Sequence, residues 1–420
     1  DVDLLLALLL RDLDPRQRLV AMSATFDGDR VAAHLGGVHV SGEGRQYPVE
    51  IRYTGQGATL PATRGVEDRV IGALELVSRE EVPGDVLVFL PGKAEIRATS
   101  ARIRARGSLG GALEILELHG GLTLQEQSRA FHPGPQRRCI LATNVAETSI
   151  TLPRIGVVID SGLVRQTRYF SGRGFLMLVP VALDSADQRA GRAGRLGPGV
   201  CYRLWSPAAR LEARTAPEVH RESLVPLVLA AAACGARVDA LPFLDPPKAH
   251  AVEAAVTELQ ALGAVDDDQV LTARGRQLFG LPLDAAHGRL LLEAEEAGCL
   301  DDVIDLVSVL AVDRPLFAGA RPEAEEDDLR AAGCDATAAI LAVRRGSPQR
   351  HGLRGATLEE ARRIRRRLRK AWRRHGEPDP NQPVDRKRLV LVALASDARM
   401  AHAARPRKRH VAWSNGGTEI

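Results

Sequence analysis

The eight residues Gln188-Arg189-Ala190-Gly191-Arg192-Ala193-Gly194-Arg195 combine one carboxamide, three guanidinium groups and two glycines. If a helix starts after Asp184 or Ser185, then Gln188, Arg192 and Arg195 stand at i, i+4 and i+7 and share one face. Arg189 points about a quarter-turn away. One carboxamide and two guanidinium groups on a single face make a poor core. They make a good clamp for a polyanion, because an arginine presents a rigid fork of donors suited to phosphate oxygens. Gly191 and Gly194 keep the backbone between them bare. Taken alone, the run can also be a solvated basic start to a helix.

Two further stretches decide between these readings. Ala142-Thr143-Asn144-Val145-Ala146-Glu147-Thr148-Ser149-Ile150-Thr151 follows a strand-like run, and Ser23-Ala24-Thr25 follows the apolar run that starts at Leu19. The sequence from Gln188 to Arg195 resembles the sixth motif of superfamily-2 helicases. The stretch from Ala142 resembles the fifth motif of the DEAH-box branch, and Ser23-Ala24-Thr25 resembles the third. Three motifs in the family's order exclude coincidence as a reasonable account. The resemblance implies that Gln188, Arg192 and Arg195 reach the γ-phosphate of ATP from the second of two RecA-like domains. By the same resemblance Arg189, Thr148, Ser149 and Thr151 line the nucleotide, while Gly92, Thr143 and Asn144 meet the nucleic-acid strand. Phe131 is either core or, as the resemblance implies, a platform for the adenine. Ser23 and Thr25 either couple nucleotide state to strand separation, as in the family, or cap the next helix.

The elements that must position these residues are legible from apolar periodicity. Leu19 to Met22 reads as a short buried strand that puts Ser23 at its carboxyl end, where open α/β sheets bind ligands. Val66, Val70, Leu74 and Val77 repeat at helical spacing, and Val86 to Leu90 is a continuous apolar run ending at Pro91-Gly92. A second helix carries Ile96 and Ile103 and stops at Gly107; strands follow at Leu113 to Leu118, Arg138 to Ala142 and Val157 to Ile159. Strands alternating with helices of this length predict a parallel sheet covered on both faces. Pro48, before the first of these strands, suits a sheet edge. His119 reads as a turn residue, with no second ligand at metal-binding spacing.

Between the fifth and sixth motifs, Gly162 to Pro180 reads as a β-hairpin with a flexible tip at Ser171-Gly172-Arg173-Gly174. Its Arg165, Arg168 and Arg173 offer a positive edge, which is either solvated or, as in DEAH-box proteins, turned to the nucleic-acid strand.

Composition sets the outer limits. The 420 residues, 45% hydrophobic, can bury two or three ordinary cores. With 57 basic against 53 acidic residues the chain as a whole does not announce a polyanion binder, so any basic footprint is local. The five cysteines show no CxxC spacing, which leaves neither a zinc site nor a disulfide framework indicated and suits a reducing cytoplasm. No apolar run approaches the roughly 20 residues of a membrane span, and no signal peptide is evident.

After Trp205 the alternation ends and helices dominate. Leu241-Pro242-Phe243-Leu244-Asp245-Pro246-Pro247 is a stiff link to a helix with Val252, Val256, Leu259 and Leu262 on one face, closed by Gly263. An acidic turn at Asp266 to Asp268 and the run Val270-Leu271-Thr272 follow, the pattern of a winged helix. Together with Leu281-Pro282-Leu283-Asp284, these stretches resemble the winged-helix and ratchet region of DEAH-box helicases. The acidic residues 321 to 328 read as a solvated linker. In Ala361 to His375, Ile364, Leu368 and Trp372 or Ala371 mark one stripe, with nine arginines and lysines around the rest. That helix either solvates its charges or lays them on RNA phosphates. Beyond Pro383, Trp413-Ser414-Asn415-Gly416-Gly417 resembles the C-terminal β region of the bacterial HrpB-type branch.

The expected fold is therefore an α/β RecA-like parallel-sheet domain followed by winged-helix and helical ratchet domains. The divisions are residues 1–43 as the end of a first RecA-like domain, 44–205 as the second, 206–280 as the winged helix, 281–382 as the ratchet with its basic helix, and 383–420 as the start of the β region. No G-x-x-x-x-G-K-[ST] occurs, since Gly92-Lys93 is followed by Ala94, and no Asp-Glu-x-His follows a strand. The chain thus reads as a fragment, with the ATP cradle and the Mg2+ ligands expected upstream and ATP turnover absent from the fragment itself. Pro153 and Arg154 also stand where many relatives carry an acidic residue. The implied activity is an ATP-dependent helicase on single-stranded RNA or DNA, RNA being favoured, with ribosomal RNA or a ribonucleoprotein as candidate partner. The rival from another class is a non-catalytic nucleic-acid-binding scaffold derived from a helicase.

Overall fold

The structure, a computed structural model, describes residues 2–14, 16–22, 27–42, 47–57, 60–147, 151–170, 173–280, 285–312, 314–317, 329, 334–374, 376–397, 401, 403–406 and 411–414. Ser23, Thr25, Thr148, Ser149, the tip residues Ser171 and Gly172, the acidic run 321–328 and Asn415 to Gly417 lie outside the described residues. The chain divides into two compact units, Asp1–Ser223 with Pro242–Pro246, and Leu224–Leu241 with Pro247–Ile420. The main division thus falls at Ser223, later than the Ser206-Pro207 boundary read from the loss of strand alternation.

Among the described residues the first unit is built on eight strands: β1 (Val49–Tyr53), β2 (Asp85–Phe89), β3 (Leu113–Leu118), β4 (Arg137–Ala142), β5 (Ile155–Asp160), β6 (Leu163–Phe170), β7 (Arg173–Pro180) and β8 (Gly199–Arg203). Six of them form one sheet in the order β1-β8-β5-β2-β4-β3, every neighbouring pair parallel. Parallel sheets need both faces covered, and the side-chain alternation along β2 shows how. Val86, Val88 and Leu90 pack with the helix Val66–Arg79 and with Ile96 and Ile103 of the helix Lys93–Ala105. Leu87 and Phe89 pack on the opposite face with Ala146, Leu152, Ala190 and Ala193. All five residues of β2 are buried, each apolar one contributing on the order of 1.5–3 kcal/mol. Pro48 precedes an edge strand, as expected, so its missing N–H interrupts no ladder.

Two sequence readings change. The helix carrying Ile96 and Ile103 ends at Ala105, and a short second helix, Gly107–Ala112, begins where a stop was expected; Arg106 separates the two in an extended conformation. Leu19 to Met22 forms no strand, and Val20 and Met22 are 74% and 89% exposed. A strand needs a neighbour for its backbone groups, and none of the described residues pairs with this run. Before it, the amphipathic helix Val2–Asp12 buries Leu4 and Ala7.

β6 and β7 form the expected hairpin, an antiparallel pair with Leu163 opposite Pro180. Gly162 opens it at φ 72°, and a Cβ there would fall 2.6 Å from the Trp205 ring, so glycine is required twice over.

The second unit is largely helical. The helix Ala249–Ala261 buries Val256 and Leu259, and Gly263 closes it in the left-handed region at φ 63°. Asp266 then folds the turn by accepting from the Val270 and Asp268 N–H groups, and Val265 bridges Leu271. Thr272 caps the helix Ala273–Phe279 through the Gly275 N–H. Beyond these, the helices Ala285–Glu296, Leu300–Leu310, Asp335–Arg345, Gly355–Ala371 and Arg386–Ser396 share a core of Leu291, Val303, Ile304, Ile340, Ile364, Leu368 and Val392, with Trp372 packed against it. The antiparallel pair Ala403–Pro406 and Val411–Ser414 follows.

Candidate functional site

The helix Leu183–Gly191 presents the Gln188 to Arg195 stretch, but it ends sooner than its α-helical register suggested: at Gly191 the chain tightens into a 3-10 turn, Arg192–Gly194. Three residues per turn then carry Arg192 directly onto Arg195. What lets this helix lie close to the sheet is its small side chains, because Ala190 and Ala193 pack against Leu87, Phe89 and Val158. The approach is close enough that a Cβ on Gly194 would fall 2.6 Å from the Tyr47 carbonyl oxygen, and one on Gly199 would fall 2.3 Å from that of Ala193. Gly191, by contrast, faces open space.

The four polar side chains of the stretch separate sharply. Arg189 is 1% exposed, so its expected role beside a ligand is corrected: the guanidinium belongs to the interior. Its Nε donates to Glu147 at 2.9 Å and its Nη1 to Asp160 at 2.9 Å, and it lies over the Phe89 ring at 5.0 Å. Burial alone would push this guanidinium down, but Asp160 and Glu147 reverse the effect and hold it above the ordinary arginine value. Gln188 is half-buried on the same helix. Arg192 donates to the Glu147 carbonyl oxygen, and Arg195 is exposed and donates to the Thr151 hydroxyl at 2.6 Å. Burial, then the neighbouring Arg195 charge, lowers Arg192 to about 10, with Glu147 opposing, so it stays cationic at neutral pH. Arg192 and Arg195 border a shallow recess lined by Leu87, Ala146, Leu152 and Ile155.

Thus the fifth-motif and sixth-motif stretches, expected separately, meet through Glu147 and Thr151. Glu147 is the residue that sequence reasoning passed over. Its carboxylate accepts from Ser185 Oγ at 2.5 Å and from Arg189, while its carbonyl holds Arg192. Ser185 and Arg189 stand at i and i+4, and that pairing was the available signal for a shared partner. Asp160, the acid that ends the buried strand β5, was passed over as well.

Thr143 and Asn144 follow β4 at its carboxyl end, Thr143 half-buried with its N–H on the Leu118 carbonyl, Asn144 exposed. Gly92, at the end of β2, lies under Arg165 of the hairpin: a Cβ there would meet the Arg165 Nε at 2.7 Å, and Arg165 pairs with Glu95 at 2.8 Å. Arg165 and Arg168 are three residues apart on β6 and so project from opposite faces of the ribbon, which divides the positive edge expected of the hairpin. The backbone of Arg173 pairs with Phe170. Phe131 ends a 3-10 turn and is 36% exposed, outside the packed clusters. His119 is the turn residue expected, its Nδ1 accepting the Gly121 N–H at 3.1 Å.

A second buried network underlies these loops. Arg138 and Asp85 are both fully buried and pair at 2.7 Å. Arg138 also donates to the Ala130 carbonyl, next to Phe131, and to the Pro153 carbonyl, just past Thr151. Arg154 reaches the same carboxylate at 3.3 Å, so Arg154, which breaks the family pattern, serves to brace this pair.

A nucleotide fits this donor set in one respect: Arg195 is an exposed cationic fork, and the buried Arg192, 7% exposed, lines the same recess, with open space beside Gly191. Among the described residues no three His, Cys, Asp or Glu side chains converge to hold a metal ion, and no helix is long and apolar enough to cross a membrane.

Residues 68–197 match the family described as helicase conserved C-terminal domain, and residues 284–379 match the helicase-associated domain (HA2), ratchet-like. The chain is 34% identical over 328 residues to the pre-mRNA-splicing factor ATP-dependent RNA helicase prp22 of Schizosaccharomyces pombe, a match covering 75% of this chain and 28% of that protein. Over 336 residues it is 36% identical to the ATP-dependent RNA helicase HrpA of Escherichia coli, covering 75% of this chain and 25% of that one. The crystal structure of the E. coli DExH-box NTPase HrpB superposes with a TM-score of 0.72 at 29% identity, over 99% of this chain and 48% of that chain. The chain therefore spans about a quarter of the length of these curated relatives and about half of the solved chain.

Proposed function

Because this chain belongs to the DEAH-box helicases of the HrpB type, we propose that it serves as the second RecA-like domain and ratchet region of an ATP-dependent RNA helicase. The observation that carries this reading is the joining of Arg192 and Arg195 to the 143–151 loop through the Glu147 carbonyl and the Thr151 hydroxyl. Bound ATP would supply the phosphoryl group whose transfer releases the energy for strand separation. Arg192 and Arg195 then offer donors to the charge that builds on that group, and Gln188 orients beside them. Phe131 is read as the adenine platform, Thr143, Asn144 and the hairpin as contacts to the RNA strand, and residues 206–280 as a winged helix. Because Glu147 grips both Ser185 and Arg189, a shift of the arginines is transmitted to the loop that bears Thr143 and Asn144. Mg2+ binding and the phosphate cradle are assigned to residues other than these 420, which contain no P-loop sequence. A cytoplasmic setting suits this activity.

Positioning and metal coordination supply most of the catalysis in phosphoryl transfer. The 420-residue chain alone is accordingly expected to release no phosphate from ATP above a no-enzyme control, with or without RNA. Protein from the complete reading frame is expected to turn over ATP faster when single-stranded RNA is added. Phosphate release by the 420-residue chain, or turnover by the complete protein that RNA leaves unchanged, would overturn the reading.

A further inference from the structure

The link Leu241-Pro242-Phe243-Leu244-Asp245-Pro246-Pro247, expected to be stiff, does more than join two helical stretches. The chain enters the second unit at Leu224, returns to the first for Pro242–Pro246 alone, and re-enters the second at Pro247. Such a return cannot hold itself by a backbone ladder, because Pro242, Pro246 and Pro247 carry no N–H. Its carbonyl oxygens are left to accept from side chains. His34 Nε2 meets the Pro242 carbonyl at 3.1 Å, Arg30 Nη2 donates to the Leu244 carbonyl at 3.1 Å, and His220 Nε2 meets the Pro246 carbonyl at 2.9 Å. A carbonyl only accepts, so each imidazole carries a proton on Nε2. Arg30 also pairs with the Asp245 carboxylate at 2.6 Å.

Arg30 and His34 stand at i and i+4 on the helix Gly28–Leu35, so they share one face. That helix follows Ser23-Ala24-Thr25 in the chain. Its capping residue Asp27 uses both carboxylate oxygens: one accepts the Arg30 N–H at 3.2 Å and the other pairs with Arg214 at 3.5 Å. The loop bearing Arg214 in turn holds the start of the helix Leu183–Gly191, since the Glu212 and Ala213 carbonyls accept the Leu183 and Asp184 N–H groups. We propose that Arg30 and His34 are positioning residues that latch the 242–246 segment to this helix, so that movement at the nucleotide site is passed into the second unit and ATP turnover is converted into strand separation. The inference rests on the reading of the chain as part of an ATP-driven RNA helicase.

Three observations favour a latch over a plain structural tie. The Arg30 and Asp245 side chains are 46% and 23% exposed, and an ion pair so open to water adds little to stability and can part and re-form. The segment is gripped at one end by Arg30 and His34 and at the other by His220, so a displacement of the helix relative to the turn Glu218–His220 acts on it directly. Its prolines fix φ and Phe243 is buried, which makes it move as one piece, and both flanking residues, Leu241 and Pro247, belong to the second unit.

The test measures ATP turnover and displacement of a tailed RNA duplex on the same preparations of protein from the complete reading frame. With Arg30→Ala and His34→Ala together, RNA-stimulated turnover is expected to stay within about twofold of wild type while duplex displaced per ATP hydrolysed falls about tenfold, the helix having lost its hydrogen bonds to the segment. Reversing the pair, Arg30→Asp with Asp245→Arg, is expected to displace more duplex per ATP than either single reversal, which a loss of fold would not produce. Urea unfolding establishes that the variants are folded; should the double alanine variant not be, Asp245→Asn carries the test, with an expected loss of about threefold in duplex per ATP. Unchanged displacement per ATP in a folded variant would overturn the latch and leave the helicase reading intact, because the wild-type protein still displaces. Turnover and displacement falling in parallel would also overturn it, since the helix would then serve the fold or the chemistry and not their coupling. A reversed pair no better than the single reversals would overturn the part assigned to Arg30 and Asp245. A wild-type protein that displaces no duplex with ATP would overturn both the latch and the helicase reading.

Discussion

Alanine at Arg192 or Arg195, in protein from the complete reading frame, is expected to lower RNA-stimulated ATP turnover about 10³-fold while nucleotide affinity changes far less. The reason lies in when the arginines act. A fork of donors aimed where charge develops stabilises the transferring phosphoryl group more than the bound ground state, so its loss falls on turnover. Arg192 is held by the Glu147 carbonyl and Arg195 by the Thr151 hydroxyl at 2.6 Å, so both are pre-positioned and cost little reorganisation. Lysine at Arg195 keeps the charge but loses the fork, and is expected to recover only part of the rate. Initial rates at saturating ATP, with affinity measured separately, check this; near-normal turnover in either alanine variant would contradict it.

Asp85→Ala is expected to destabilise the first unit by about 3–5 kcal/mol, the cost of leaving a buried arginine without its partner. Asp85 and Arg138 are both completely buried, and the carboxylate also accepts the Arg138 N–H at 2.9 Å. Since Arg138 braces the Ala130 and Pro153 carbonyls, the loss also loosens the loops bearing Phe131 and Thr151. Replacing both partners with apolar residues of similar volume, Asp85→Leu with Arg138→Met, should restore much of the stability, because no charge is then stranded. Urea unfolding of the three proteins decides; a single variant as stable as wild type would contradict the network's role.

The sheet was legible because its strands are short, continuous apolar runs between glycine and proline signals, as in Val86 to Leu90 before Pro91-Gly92. The spacing of Arg192 and Arg195 beside glycines marked them as a pair, and the structure holds both against residues 147 and 151. What stayed hidden was which charges face inward. Arg189 looks no different in sequence from Arg192, yet two acids from separate strands and loops, Asp160 and Glu147, bury it. The same holds for Arg365 and Arg369, whose partners Asp305 and Asp301 lie 60 and 68 residues away. Leu19 to Met22 misled for the opposite reason, since an apolar run becomes a strand only where another strand accepts its backbone.

The central claim is that this chain supplies the arginine-bearing half of an ATP-driven motor on RNA. Strand displacement from an RNA duplex with a single-stranded tail tests it most directly, using protein from the complete reading frame with ATP, with a non-hydrolysable ATP analogue, and with the Arg192→Ala and Arg195→Ala variants. Displacement should require hydrolysable ATP and disappear in both variants while RNA binding persists. Binding of the tailed duplex with no ATP-dependent displacement by the wild-type protein would contradict the claim and favour the non-catalytic RNA-binding scaffold.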